Sequence, residues 1–396
     1  MPPLKLAAWT AVAAMGAGRD ALRAALRERR TGLAPCELPR MPAGIWVGRV
    51  AGLEQVALPP ALEAFACRNN RLAELALGTD GFAGRVRAAA ERLGPARIAV
   101  VLGSSTAGIE ETEQAYARRG ADGALPAAYR YETTHDLHAL PRYVRARLGL
   151  RGPAVSVSTA CTSGARSVLE AAALIAAGLA DAAVVGGVDT LCRLTLHGFN
   201  ALELLSPGPC RPCAADRDGI CIGEAAGLML VEPAGPRDDG AIGVLGMGAS
   251  SDGHHMSSPH PEGLGAVAAM QAALDSAGLA ADAIDYVNLH GTGTRANDAM
   301  EDRAVARVFG SAVPCSSTKG WSGHALGAAG ALEAVISAIA VEDGFIPGCL
   351  GVREADPGFA SAVAVENRTA KLRRVLSNSF GFGGNNFALV IGRLGA

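Results

Sequence analysis

VSVSTACTSGARS, residues 155–167, is the stretch from which the rest of the chain is read. Ala154–Ser158 reads as a short buried strand and Ser163–Ala177 as an Ala-rich helix, so Cys161 sits where strand gives way to helix. Unpaired backbone N–H groups and the helix dipole favour a thiolate at such a junction. The same N–H groups suit the oxygen of an attacked carbonyl. Most cysteines are instead buried and inert, and for Cys161 taken alone that reading stands beside the first.

The flanking sequence extends the pattern. Ile98–Leu102, Ala182–Val185, Leu228–Val231, Ile242–Met247, Tyr286–Leu289, Val313–Ser316 and Phe387–Ile391 read as further strands. Gly265–Ser276, Asp298–Phe309 and Ala325–Val341 read as helices. Strand–helix alternation of this kind predicts an α/β fold with mostly parallel sheets. EPAGPRDDG, 232–240, is a surface connection by composition and divides the chain in two. The halves share a faint repeat: STACTSG at 158–164 and STKGWSG at 317–323. Shared strand–turn–helix context makes duplication the better reading. Two helices so poor in bulky side chains can pack closely at the centre of the molecule.

Composition narrows the function classes. A 49% hydrophobic chain with 19% charged residues buries a large core and is not disordered. A formal charge of −2 argues against nucleic acid as a main partner. Nine cysteines without a framework of spacings fit a reducing compartment. Cys210 and Cys213 form a lone CxxC, and no second pair completes a tetrahedral zinc site. MPPLKLAAWTAVAAMGAG lacks the features of a signal peptide, and Asp181 and glycines interrupt the longest apolar run, 171–188. A cytoplasmic protein without membrane span, metal or cofactor is expected.

Three more segments stand out. In YVNLHGTGTRANDAMED, His290 ends a strand and meets a Gly-rich turn, the end of an α/β sheet that faces ligand crevices. A hydrogen-bonded core histidine is the other reading, and Thr292 and Thr294 either bind a polar ligand or satisfy their own turn. In SSTKGWSGHALGAAG, Lys319 and His324 flank a turn between buried elements. A lysine placed there needs a charge partner unless it reaches solvent, and Glu301 is the natural candidate. SNSFGFGGNN, 377–386, reads as a mobile glycine loop with Phe380 and Phe382 as stoppers, or as an ordinary turn between two strands.

Together these segments resemble, in order and spacing, the β-ketoacyl synthases of the thiolase-fold condensing enzymes. CRPCAADRDGICIGEAAG (210–227) and GMGASSDGHHMSSP (246–259) extend the likeness over nearly the whole chain. LCRLTLHGFNALELLSP (191–207) resembles the ketosynthases of aryl polyene pathways. The resemblance implies a five-layered α-β-α-β-α fold of two duplicated halves, residues 1–238 with Cys161 and 239–396 with His290, Lys319 and His324. It implies a decarboxylating Claisen condensation in fatty acid, polyene or polyketide elongation. Cys161 would hold the acyl chain delivered by acyl carrier protein, and His290 and His324 would stabilise the malonyl enolate. Lys319 would pair with Glu301. The N–H groups of Cys161 and Phe382 would form an oxyanion hole, with Phe382 also a gate. Thr292 and Thr294 would contact the phosphopantetheine arm, and Thr106, Phe199 and Phe380 the substrate.

The chain departs from the family pattern at Asn385, usually Thr, at Gly293, usually Ser, and at Glu203, where many relatives carry Arg for the carrier protein. Arg68, Arg71 or Arg130 are then the docking candidates. A degradative thiolase would carry a second catalytic cysteine, and an initiating synthase an asparagine in place of His324. A non-catalytic chain-length partner would lack the cysteine. A homodimer, or a heterodimer in which this chain supplies the active site, is implied.

Overall fold

The computed structural model describes residues 2–395. Its core strands are β1 (Leu4–Ala13), β2 (Ile98–Gly103), β3 (Ala154–Val157), β4 (Ala182–Asp189), β5 (Ala225–Pro233), β6 (Ile242–Ser251), β7 (Tyr286–Asn288), β8 (Pro314–Ser316), β9 (Arg374–Gly381) and β10 (Asn385–Arg393). The helices packed on them are α1 (Arg68–Leu77), α2 (Phe82–Leu93), α3 (Ala139–Arg147), α4 (Ser163–Ala176), α5 (Leu264–Ala277), α6 (Arg295–Phe309) and α7 (Ala329–Asp343).

Strand order shows the duplication directly. The first five strands lie in the order β3-β2-β4-β5-β1 and the second five in the order β8-β7-β9-β10-β6. Each set has its first three neighbours parallel and the remaining pairs antiparallel. The sets meet at a short antiparallel pairing of Leu4 with Val244 and Lys5 with Gly243. The sheets are therefore mixed, not mostly parallel. β9 runs into β10 through the turn Phe382–Gly384, and so tight a turn enforces antiparallel pairing. The 377–386 stretch is thus the end of one strand, a turn and the start of the next, rather than a free loop.

Five layers result. α1, α2 and α3 cover one sheet through Leu72, Phe82, Val86 and Tyr143. α5 and α6 cover the other through Ala269, Met270, Met300 and Val305. α4 and α7 lie between the sheets. Strands sandwiched this way are apolar on both faces: every residue of β4 is buried, and in β5 Leu228 and Leu230 face the outer core while Met229 and Val231 face the central one. α7 is buried from Ala329 through Val341, as a helix apolar all round must be. Its backbone comes against α4 because both carry glycine at the contact. A Cβ on Gly164 would stand 2.7 Å from Gly327 O, and one on Gly330 would stand 2.7 Å from Ala165 Cβ.

The structural repeat has a different register from STACTSG/STKGWSG. Ala160, at φ 53°, precedes Cys161 and the start of α4, and its counterpart ahead of α7 is Leu326, at φ 50°. Both hold the left-handed conformation that non-glycine residues rarely adopt. Gly327 therefore occupies in the second half the place of Cys161 in the first. Lys319–Ser322, the middle of the quoted repeat, is a separate four-residue helix. The N-terminal apolar run is β1, at the join of the two sheets. Among the described residues no helix is long and apolar enough to cross a membrane.

Candidate active site

Strand ends and helix starts bring the reactive side chains to one pocket of about 130 Å³. Cys161, His290, His324, Thr292, Thr294, Phe199, Phe380 and Phe382 all line it. Cys161 comes from the left-handed turn ahead of α4, His290 from the end of β7, and His324 from the turn ahead of α7. The His290 and His324 rings stand edge to face, 5.0 Å between centroids. Phe380 packs against His290 at 5.9 Å, and Phe199 against Phe382 at 5.6 Å.

The electrostatics differ from the expectation of a resting thiolate. Cys161 is 8% exposed, and burial pushes its thiol up to about 12. Lys319 pulls it the other way, as does a hydrogen bond from the Phe382 backbone N–H, while Asp189 and Glu333 add to the rise. Desolvation outweighs the helix terminus, so the free protein holds a thiol at neutral pH. Both imidazoles are held well below their usual range, by burial first and then by the Lys319 charge; for His290 the neighbouring His324 adds to the fall. They are neutral at pH 7, and among the described residues neither buried Nδ1 has a hydrogen-bond partner.

Lys319 is buried and its Nζ donates to the His290 carbonyl and to Glu333. Glu301 is therefore not its partner. The Glu301 carboxylate instead accepts from the backbone N–H groups of His290 and Gly291, each at 2.7 Å, and from Asn378 Nδ2 at 3.1 Å. It fixes the turn that carries His290 from behind, one turn of α6 away from the pocket. Glu333 was legible as the lone charge in AGALEAVISAIAV, since an ionisable group in a helix buried all round must find a partner. Removing Glu333 leaves a buried ammonium unpaired. Glu333→Ala is expected to lose about 3–5 kcal/mol of stability, measured by denaturant unfolding.

Other expected residues are placed elsewhere. Thr106 does not line the pocket. Its hydroxyl donates to Asp189 at 2.8 Å and accepts from the Thr190 N–H at 3.1 Å. Arg68 is buried and paired with Glu224 at 2.5 Å and Glu54 at 2.7 Å, which removes it as a docking residue. Arg71 and Arg130 donate to nearby backbone carbonyls. The CxxC thiols diverge. Cys210 packs beside Cys221, whereas Cys213 enters the outer core of the second half. Among the described residues, no group of three or more His, Cys, Asp or Glu side chains is arranged to hold a metal ion.

Sequence reasoning passed over Asn385 as a contact. Its amide Nδ2 donates to the Phe382 carbonyl at 3.2 Å, closing the turn that presents the Phe382 N–H. The next residue, Asn386, ties the same turn to Asp252 at 2.8 Å.

The pocket thus holds a thiol at a helix mouth, a backbone donor aimed at its sulfur and two neutral imidazoles. Residues 83–235 match the N-terminal domain of β-ketoacyl synthases and residues 242–353 the C-terminal domain. The chain is 35% identical to 3-oxoacyl-[acyl-carrier-protein] synthase 2 of Vibrio cholerae serotype O1, over 76% of each chain. It is similar to the ketosynthase ApeO of Xenorhabdus doucetiae, solved in complex with its chain length factor ApeC, with a TM-score of 0.91, 37% identity, and coverage of 99% of this chain and 98% of that one. A ketosynthase/chain length factor for ishigamide matches with a TM-score of 0.90 at 28% identity, over the whole of both chains. The chain belongs to the β-ketoacyl synthase family and has its thiolase-like fold.

Proposed function

We propose that the chain is an elongating ketosynthase that condenses an acyl group held on Cys161 with a malonyl thioester on acyl carrier protein. The observation that carries this is the convergence of Cys161, His290 and His324 on one pocket, with both imidazoles neutral. The acyl thioester exchanges onto Cys161, releasing the carrier thiol. Since the resting group is a thiol, the Cys161 proton passes through a neutral imidazole in the pocket to the departing carrier sulfur, which leaves the ring neutral again. The Cys161 and Phe382 N–H groups hold the oxyanion of that step.

Malonyl thioester then loses carbon dioxide. Its enolate oxygen takes one hydrogen bond from each imidazole, and its carbon attacks the acyl carbonyl. The carbon–sulfur bond breaks, Cys161 regains its proton from solvent, and a 3-oxoacyl thioester two carbons longer leaves. Neutral donors suit this chemistry because an imidazolium would protonate the carbanion. Burial, with the Lys319 charge added to it, keeps both rings neutral, and Lys319 is itself held by Glu333 and the His290 carbonyl. Glu301 positions the His290 turn. Thr292 and Thr294, hydrogen-bonded to each other at 2.8 Å, meet the phosphopantetheine arm. Phe199, Phe380 and Phe382 meet the acyl chain, Phe382 as the gate.

The division at 238/239 into two halves belongs to this reading. It is supported by the identical strand order on either side and by the surface connection between Pro233 and Ile242. The protein acts in the cytoplasm as a dimer. A heterodimer with a chain length factor is the second reading, supported by the complexes in which ApeO and the ishigamide ketosynthase were solved. In either, this chain supplies the active site.

Intact-protein mass spectrometry with a panel of acyl carrier proteins tests the assignment: wild type gains the mass of the loaded acyl group and releases the carrier thiol. No adduct from any acyl carrier would contradict it. The pH dependence has a definite sign. Histidine pKa values held well below 6.5 leave both rings neutral as pH falls from 7.5 to 6, so malonyl decarboxylation is expected to stay flat there. A decline with a midpoint near 6.5 would show an ordinary, protonating imidazole.

A further inference from the structure

Asp189 takes no part in the chemistry above, yet its carboxylate touches both halves of the site. It ends β4 and is fully buried. Oδ1 accepts from Ser104 Oγ at 2.7 Å, the Ser105 N–H at 2.8 Å, the Thr106 N–H at 2.9 Å and Thr106 Oγ1 at 2.8 Å. Oδ2 accepts from the Ser105 N–H at 3.0 Å and from the Gly327 N–H at 2.6 Å.

These donors lead to the two reactive turns. Ser105 Oγ donates at 3.3 Å to the carbonyl of Ala160, the left-handed residue before Cys161. Gly327 follows Leu326, the left-handed residue of the turn that carries His324. The fit has no slack: a Cβ on Gly327 would stand 2.7 Å from Asp189 Oδ2 and 2.7 Å from Ser105 Oγ. One carboxylate therefore joins the nucleophile's turn in the first half to the histidine's turn in the second.

We propose that Asp189 is a positioning residue that sets the Cys161 turn against the His324 turn and so fixes the separation of the acyl group from the malonyl thioester. The proposal rests on the condensing reading of the pocket. Only a carboxylate meets its donors on both oxygens. An asparagine would turn its NH2 either to the Gly327 N–H or to the Ser105 and Thr106 N–H groups. Misplacement of reacting groups by about 1 Å costs on the order of 10²-fold in rate. Asp189 also bears on the nucleophile by charge, with Glu333 and against Lys319, the charged groups that act on Cys161.

The test uses the full chain with Asp189→Asn and, from the opposite half, Gly327→Ala, each checked for folding by circular dichroism and thermal melting. Acyl loading of Cys161 and malonyl decarboxylation are measured as separate single turnovers. Both steps are expected to fall on the order of 10²-fold in both variants. The pH profile of Cys161 alkylation by iodoacetamide is expected to move to lower pH in Asp189→Asn, with a higher rate below its midpoint, because a charge that raises the thiol is removed. In Gly327→Ala, which keeps the charge, the profile should stay where it is.

Folded variants that keep wild-type rates, or that lose one step alone, would overturn the proposal. So would a lowered melting temperature in Asp189→Asn with an unmoved alkylation profile. A wild type that neither loads nor decarboxylates would contradict the condensing reading instead. The alkylation profiles would then decide on Asp189 independently of it.

Discussion

Cys161→Ala is expected to take up no acyl group from any carrier thioester, and condensation is expected to fall to background. The methyl side chain keeps the small volume of the turn but has no sulfur to exchange with the thioester. The variant should fold, since Ala suits the start of α4 and the Ala160 and Ser163 contacts hold the turn. Intact mass after incubation with acyl carrier protein measures the effect. The acyl adduct seen on wild type should be absent. The other eight cysteines are poor substitutes: all but Cys36 are buried, and none but Cys161 lines the pocket. An adduct that persists in Cys161→Ala would place the nucleophile elsewhere.

The second large effect is on the histidines. His324→Ala is expected to lower malonyl decarboxylation on the order of 10²–10³-fold, roughly 3–4 kcal/mol of transition-state stabilisation. Acyl loading should fall less, because the oxyanion of that step is held by backbone N–H groups. His290→Ala should behave alike for decarboxylation. The two rings meet at 5.0 Å and in the proposed mechanism donate to one oxygen, so the double variant should lose less than the product of the single losses. Release of carbon dioxide from malonyl carrier protein reads the step directly. Unimpaired condensation in His324→Ala would defeat the two-donor account.

The Cys161 turn was the most legible feature of the chain. A small-residue turn between an apolar strand and an Ala-rich helix can only place its middle residue at a helix mouth, and the structure puts it there. The central pairing of α4 with α7 was legible for the same reason, since glycine and alanine leave the backbones free to touch. Thiol ionisation was not. A helix mouth favours a thiolate, but burial opposes it, and how deeply Cys161 lies depends on Phe382, Gly381 and His324, all distant in sequence.

Glu301 was misread because nearness along the chain stood in for nearness in space. Eleven residues separate it from His290, but it approaches that residue's backbone, and Lys319 pairs with Glu333 of α7 instead. The two halves are duplicated in strand order, but STACTSG and STKGWSG are not their equivalent turns. Matching Ser-Thr and Ser-Gly pairs point to 317–323, whereas the equivalence lies at Leu326–Gly327, which shares with Ala160–Cys161 a left-handed backbone and no side chain. β1 was overlooked because an apolar terminal run carries no sign of the partner strands that will bury it. Thr106 resembled a pocket residue by position, but its hydroxyl is satisfied by Asp189, a contact no spacing announces.

The central claim is that the acyl group on Cys161 becomes joined, carbon to carbon, to a decarboxylated malonyl unit. Wild-type protein preloaded with an acyl group, freed of donor and given malonyl carrier protein labelled with carbon-13 in the malonyl unit tests it in one turnover. The account predicts loss of the acyl mass from the peptide bearing Cys161, and an equal amount of 3-oxoacyl carrier protein carrying two labelled carbons. Loss of the adduct with only free acid formed, or an adduct that stays on Cys161 while malonyl is decarboxylated, would contradict it.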